Sequence, residues 1–341
     1  MNKLVVSSYR LLVALAALGS VSAAEPAGVK DGALGTFMDK EPGDTAGQLA
    51  LLLQNTYKLQ VDTTVVMFQL QYGSRVHLER IFYPANTSDH EMIPAYIFTP
   101  ASLAKGQKRP GLVIVHGALH ESLDWRFFRL IDAAVAHGYA VIFPEYRGST
   151  GYGETIYANS YGHTDVADVM AAADYFAQQE FVDASRMGIL GHSRGGLITV
   201  LAIERYPQRF QAAVEISGLL DFLAYMSYKP DARRNEIARE PEFGGKLPAQ
   251  NLPPYLDITP LNFVEAIQTP VLALGTTGDK IVPIALNTAR FIELLKAHDK
   301  VFAGHVYENA PGGHNFLQGD SEEARDCFQR SFDWLGKYLR P

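Results

Sequence analysis

Met187-Gly188-Ile189-Leu190 runs straight into Gly191-His192-Ser193-Arg194-Gly195-Gly196, and Leu197-Ile198-Thr199-Val200 follows at once. The first four residues make a short apolar strand, and Leu197–Tyr206 has helical spacing. Between them lies G-x-S-x-G, a turn so sharp that its flanking positions accept only glycine and its serine hydroxyl is lifted clear of the sheet. This reading makes Ser193 a candidate nucleophile and asks whether the rest of the chain alternates strand and helix in the same way.

It does so on both sides. Gly111–Val115 (GLVIV) is a solid apolar run of the kind buried on both faces of a parallel sheet, and Trp125–Ala136 follows with helical spacing. Tyr139–Phe143, Ala212–Ile216, Pro270–Leu274 and Val301–Tyr307 read as further strands. Asp165–Phe176, Ile284–Ala297 and a closing segment near Ala324–Leu339 read as helices. The lone Cys327 falls in that last helix and reads as packing. Alternation of this type with right-handed crossovers predicts an α/β fold, one doubly wound, mostly parallel sheet with helices on both faces. Ahead of it, Glu25–Thr45 reads as a loose leader, Ala46–Leu59 as a helix, and Thr63–Leu70, Val76–Tyr83 and Met92–Thr99 as opening strands. Residues 221–262 break the rhythm and predict a small cap insertion. The expected organisation is therefore 1–24 as a signal peptide, 25–110 as leader and opening strands, and 111–341 as the catalytic core.

In a doubly wound sheet, ligands sit outside the carboxyl ends of the strands. A serine hydroxyl needs a base within hydrogen-bond reach, and behind a turn of this kind the order along the chain is serine, acid, histidine. Asp279 follows the strand Pro270–Leu274 on Gly275-Thr276-Thr277-Gly278, and His314 follows Val301–Tyr307 on Ala310-Pro311-Gly312-Gly313. His314 is the expected base and Asp279 the acid that holds its tautomer. His305 lies inside a strand, His298 near a helix end, and neither Asp257 nor Asp299 follows a core strand directly. Two backbone N–H groups are expected to meet the developing oxyanion, that of Arg194 and that of Ala118, with Gly117 as the alternative. His116 and His120 are four apart but leave a strand rather than line a helix, and only Glu121 is a nearby carboxylate, so no metal and no cofactor is expected.

The chain has 341 residues with a net charge of −7 and no basic block, which argues against nucleic acid as a partner. A single Cys excludes an intramolecular disulfide framework. Lys3 and Arg10, the apolar run Leu11–Leu18 and the small residues Gly19–Ala24 have the three-part layout of a cleavable secretory signal. A periplasmic or secreted protein, with no membrane span after cleavage, is the expectation.

His116-Gly117, Tyr146-Arg147-Gly148-Ser149-Thr150-Gly151-Tyr152-Gly153, Gly191–Gly196, Asp279 with Val282-Pro283, and Gly313-His314-Asn315-Phe316 follow one another as in prolyl oligopeptidase catalytic domains. The stretch from about 110 to 340 also resembles dienelactone-hydrolase-like esterases. The resemblance implies an α/β-hydrolase fold with Ser193, Asp279 and His314 as its triad. No β-propeller blade repeat is visible, and His116-Gly117-Ala118-Leu119 stands where many relatives continue Gly-Gly-Pro.

Those two departures put a carboxylic ester first and a short peptide second as the substrate of a secreted serine hydrolase working through an acyl-enzyme. A catalytically silent fold used for binding is a third reading, opposed by the intact Ser193, Asp279 and His314. His116, Phe222, Tyr225 and Tyr228 are candidate substrate contacts. The adjacent Arg233 and Arg234 read as solvated, with an anionic substrate as the alternative. Glu145 and Arg147 are expected to orient the glycine-rich loop. The assembly state is left open by the sequence.

Overall fold

The computed structural model describes residues 45–341 apart from 119, 159 and 160. The segment read as a signal peptide and most of the leader after it lie outside the described residues. The chain divides at 51/52 into two units, and the first described element is a helix, α1 (Thr45–Tyr72).

The second unit is built on eight strands: β1 (Val76–Pro84), β2 (Met92–Pro100), β3 (Arg109–Val115), β4 (Ala140–Pro144), β5 (Val182–His192), β6 (Ala212–Ile216), β7 (Val271–Thr276) and β8 (Phe302–Tyr307). They form one sheet in the order β1-β2-β4-β3-β5-β6-β7-β8, antiparallel from β1 through β2 to β4 and parallel from there on. Among the described residues every strand belongs to this sheet, so no propeller blade is present there. The remaining helices are α2 (Trp125–Ala136), α3 (Glu154–Tyr157), α4 (Thr164–Ala177), α5 (Arg194–Arg205), α6 (Phe222–Tyr228), α7 (Asp231–Ala238), α8 (Pro253–Asp257), α9 (Thr288–Ala297) and α10 (Glu322–Leu339).

The apolar runs are continuous because both faces of the sheet are covered. Along β3, Val113 and Val115 join the core shared with α4, α5 and α9, while Leu112 and Ile114 join the core shared with α2 and α10. Cys327 is buried in that second layer, as a packing residue would be. This is the mostly parallel, helix-covered α/β-hydrolase architecture that the sequence predicts. No helix among the described residues is long and apolar enough to cross a membrane.

One expected strand is not a strand. Residues 63–70 belong to α1, although Thr63, Thr64, Val65 and Val66 favour extended backbone by composition. Val61, Thr64, Phe68 and Tyr72 recur at helical spacing and are buried, and the Phe68 ring packs 4.9 Å from Phe98 and 5.0 Å from Phe128. Burial of that stripe outweighs the weak local preference of β-branched residues.

Candidate active site

β5 ends at His192 and α5 begins at Arg194, which leaves Ser193 alone at the corner. Its φ of +60° and ψ of −120° lie outside the regions that a side chain normally tolerates. The neighbouring chain over-determines this conformation: Ser193 N–H donates to Ile216 O at 3.0 Å, and its carbonyl accepts from Leu219 N–H at 3.1 Å. A side chain at Gly191 would run into the Gly195 carbonyl, and one at Gly195 into the Val115 carbonyl. The glycines are therefore a packing requirement of the corner.

β7 and β8 are parallel neighbours, so the loops that leave them emerge side by side. Thr276 and Thr277 lace the two loops together, their hydroxyls accepting from Ala310 N–H and Asn309 N–H at 2.9 Å each. Asp279 is buried, and its Oδ1 accepts from Ile281 and Val282 N–H at 2.8 Å each. Its Oδ2 accepts from His314 Nδ1–H at 2.6 Å. The other ring nitrogen, Nε2, lies 2.8 Å from Ser193 Oγ. Ser193, His314 and Asp279 are thus brought into one hydrogen-bonded line.

The line opens on a cavity of about 250 Å³ that holds Gly117, Ala118, Ser193, Arg194 and His314 in its wall. Arg194 is the first residue of α5, where the helix dipole favours negative charge. Ala118 has φ +56°, which turns the chain back at the mouth of β3. The loop around Ala118 is gripped from behind. Tyr146 Oη–H donates to His116 O at 2.8 Å, Thr150 N–H to Glu121 O at 3.0 Å, and Glu145 Oε1 accepts from Leu123 N–H at 2.7 Å. The gripping loop is itself fixed by Arg147, which makes a bidentate contact with buried Asp168 at 2.6 and 2.9 Å and reaches Asp89 at 2.6 Å. Arg147 is thus fixed to α4 at the base of the glycine-rich loop, whereas Glu145 holds the segment after β3 through the Leu123 amide.

Two candidate substrate contacts lie elsewhere. His116 is fully buried: its Nδ1–H donates to Gly117 O at 3.0 Å, Nε2 is 3.0 Å from Ser149 Oγ, and the ring stacks on Tyr146. Burial pushes this imidazole down to about 3 and the facing Glu145 carboxyl up to about 8, so their 3.6 Å approach joins two neutral groups at pH 7. Phe222 is also fully buried, stacked on Phe243 and Tyr255 within the insertion at 6.1 and 6.3 Å and tilted against Tyr161 at 5.0 Å. Tyr225 does line the cavity. Tyr228 is half-buried beside it and donates its hydroxyl to Ile281 O at 3.2 Å.

The wall also contains Arg126 and Tyr161, which no spacing singled out, and Arg233, which the sequence reads as solvated with an anionic substrate as the alternative; Glu121 and His192 line it too. His192 Nε2–H donates to His314 O at 2.8 Å, tying the strand end to the loop of the base, and burial lowers its ring to about 3, so it is neutral. Val282, Asn315 and His192 in the wall are members of the motifs quoted above.

The profile of the prolyl oligopeptidase family matches residues 125–341. The rat acylamino-acid-releasing enzyme is 27% identical over 72% of this chain and the human one 30% identical over 72%, and the chain spans 34% of the length of each. Among solved structures, an acylaminoacyl peptidase in complex with Z-Gly-Gly-Phe-chloromethyl ketone superposes with a TM-score of 0.68 at 20% identity, over 78% of this chain and 42% of that one. The chain belongs to the prolyl oligopeptidase family.

Proposed function

We propose that this chain is a serine peptidase of the acylaminoacyl type, acting on short peptides through an acyl-enzyme. The single observation that carries the proposal is the continuous line from Ser193 Oγ through His314 to Asp279, at 2.8 and 2.6 Å. In this reading Ser193 Oγ attacks the scissile carbonyl carbon while His314 Nε2 takes its proton. Asp279 holds Nδ1–H and stabilises the imidazolium. The carbonyl oxygen gains its charge facing the backbone N–H groups of Arg194 and Ala118. Collapse of the tetrahedral intermediate breaks the C–N bond, and His314 returns the proton to the leaving nitrogen. Water deprotonated by His314 then releases the acid and restores the hydroxyl.

The sequence alone puts an ester first, on the missing propeller blades and the departure at His116-Gly117-Ala118-Leu119. Family membership and the kinship with acylamino-acid-releasing enzymes support the reverse order. The distinguishing experiment measures kcat/KM on N-acetyl-alanyl p-nitroanilide and on p-nitrophenyl acetate, with fluorophosphonate labelling in parallel. Anilide turnover and labelling, both lost in Ser193→Ala, are expected. Ester turnover with an inert series of peptide anilides would return the ester to first place. A place of work outside the cytoplasm is part of the same proposal, supported by the layout of residues 1–24. N-terminal sequencing of secreted protein is expected to start at Ala24 or Glu25.

A further inference from the structure

Arg233 and Arg234 are neighbours in sequence, yet α7 sends them to different places. Arg234 pairs with Asp231 on the helix surface, whereas Arg233 lines the cavity in front of Ser193. The cavity's other two arginines already hold carboxylates, Glu121 in the wall itself and Asp124 and Asp165 outside it. Arg126 is within 2.8 Å of Glu121 and 2.6 Å of Asp124, and Arg194 is 2.8 Å from Asp165 with both side chains buried. Arg233 has Glu236 at 2.8 Å, one turn along the same helix, and half of that glutamate side chain is exposed. A surface pair of this kind is held weakly, because water competes for both partners. The Arg233 side chain itself is 28% exposed. It is the cavity cation best able to exchange its partner for an incoming one.

We propose that this cavity selects substrates carrying a carboxylate within one residue of the scissile bond, with Arg233 as the specificity-determining cation. The proposal rests on the peptidase reading given above. A planar guanidinium takes a carboxylate in a two-pronged contact, stronger and more directional than a neutral hydrogen bond. Leu219 and Tyr225, in the same wall, offer apolar cover for the stem of the charged group. Two sources supply the same chemistry: an acidic side chain on the acyl side, or the terminal carboxylate of a short leaving peptide.

The test compares kcat/KM within matched pairs. N-acetyl-Glu against N-acetyl-Gln p-nitroanilide probes the acyl side. N-acetyl-Ala-Ala with a free carboxylate against its C-terminal amide probes the leaving side. At least a tenfold preference for the charged member is expected in one pair, which identifies the source. The preference should reside in KM, collapse toward unity in Arg233→Gln, recover in part in Arg233→Lys and persist in Arg234→Gln. A wild-type ratio at or below one in both pairs, or a ratio that survives Arg233→Gln, overturns the inference. If every anilide and peptide is inert while nitrophenyl esters turn over, the peptidase reading fails instead. The carboxylate preference is then read from p-nitrophenyl hemiglutarate against p-nitrophenyl butyrate, with the same two variants deciding it.

Discussion

The two walls of the cavity are built on opposite plans. One wall, the loop through Gly117 and Ala118, is backed by buried groups: Tyr146 on the His116 carbonyl, Glu145 on the Leu123 amide, and Arg147 locked to Asp168. The other, carried by α6 and α7, meets solvent through surface ion pairs such as Arg233–Glu236 and Arg234–Asp231. The first wall must place an amide to a few tenths of an ångström if it is to stabilise a developing charge. The second has only to present a surface to a side chain, and looser support suffices.

Variants that break or sharpen this contrast fall in a clear order. Asp279→Asn should lower kcat by roughly 10⁴ with the fold intact, because the amide oxygen can still accept from Ile281 and Val282 while the tautomer of His314 is lost. Near-normal kcat would remove Asp279 from the reaction. Next come two stability losses of similar size, read from urea unfolding. Asp168→Ala removes the buried partner of Arg147, leaving the half-exposed Asp89 as its charged partner, and should cost about 3 kcal/mol, with kcat falling alongside as the Ala118 loop loosens. Phe222→Ala should cost about 3–5 kcal/mol as a core truncation, with KM affected far less than a substrate contact would require. A large KM effect on a stable protein would restore Phe222 to the pocket.

A loss spread over several pH units follows from buried acids. Glu145 and Glu215 are pushed up to about 8 by burial, from 4.5. A carboxyl whose folded value is raised holds its proton in the native state and releases it on unfolding above pH 4.5. Its contribution to stability is therefore complete below about pH 4.5, declines as pH rises, and is gone above about 8. Glu145→Gln should flatten the decline in urea midpoint between pH 5 and 8 by up to about 1.4 kcal/mol per pH unit. An unchanged slope would show that Glu145 is ionised throughout. Arg234→Ala should be the quietest change, within about 0.5 kcal/mol and without effect on kcat/KM; a loss of activity would erase the distinction between the two arginines.

How much of this could be read from the residues follows the same division. The elbow, the strand runs and the positions of Asp279 and His314 are local signals, fixed by glycine sterics and by period, and the structure brings all three side chains together. Residues 63–70 were misread because β-branched composition speaks for a strand, whereas the buried stripe at 61, 64, 68 and 72 depends on a sheet surface far away in sequence. The inward turn of His116 was illegible for a similar reason, since its partners Ser149 and Tyr146 lie about 30 residues on. The insertion gave the poorest signal. Its short helices take their direction from packing on Tyr161 and Tyr255 rather than from their own periodicity.

The three reacting side chains leave from β5, β7 and β8, and β6 alone separates the first from the others. Strand pairing can slip without turning side chains inside out only in steps of two residues, about 7 Å. A single such step between β6 and β7 would carry the carboxylate and imidazole together beyond reach of the hydroxyl. Turnover is consequently a ruler laid across four strands, and refolded protein that regains its circular dichroism with one strand misaligned would be recognisable by its silence.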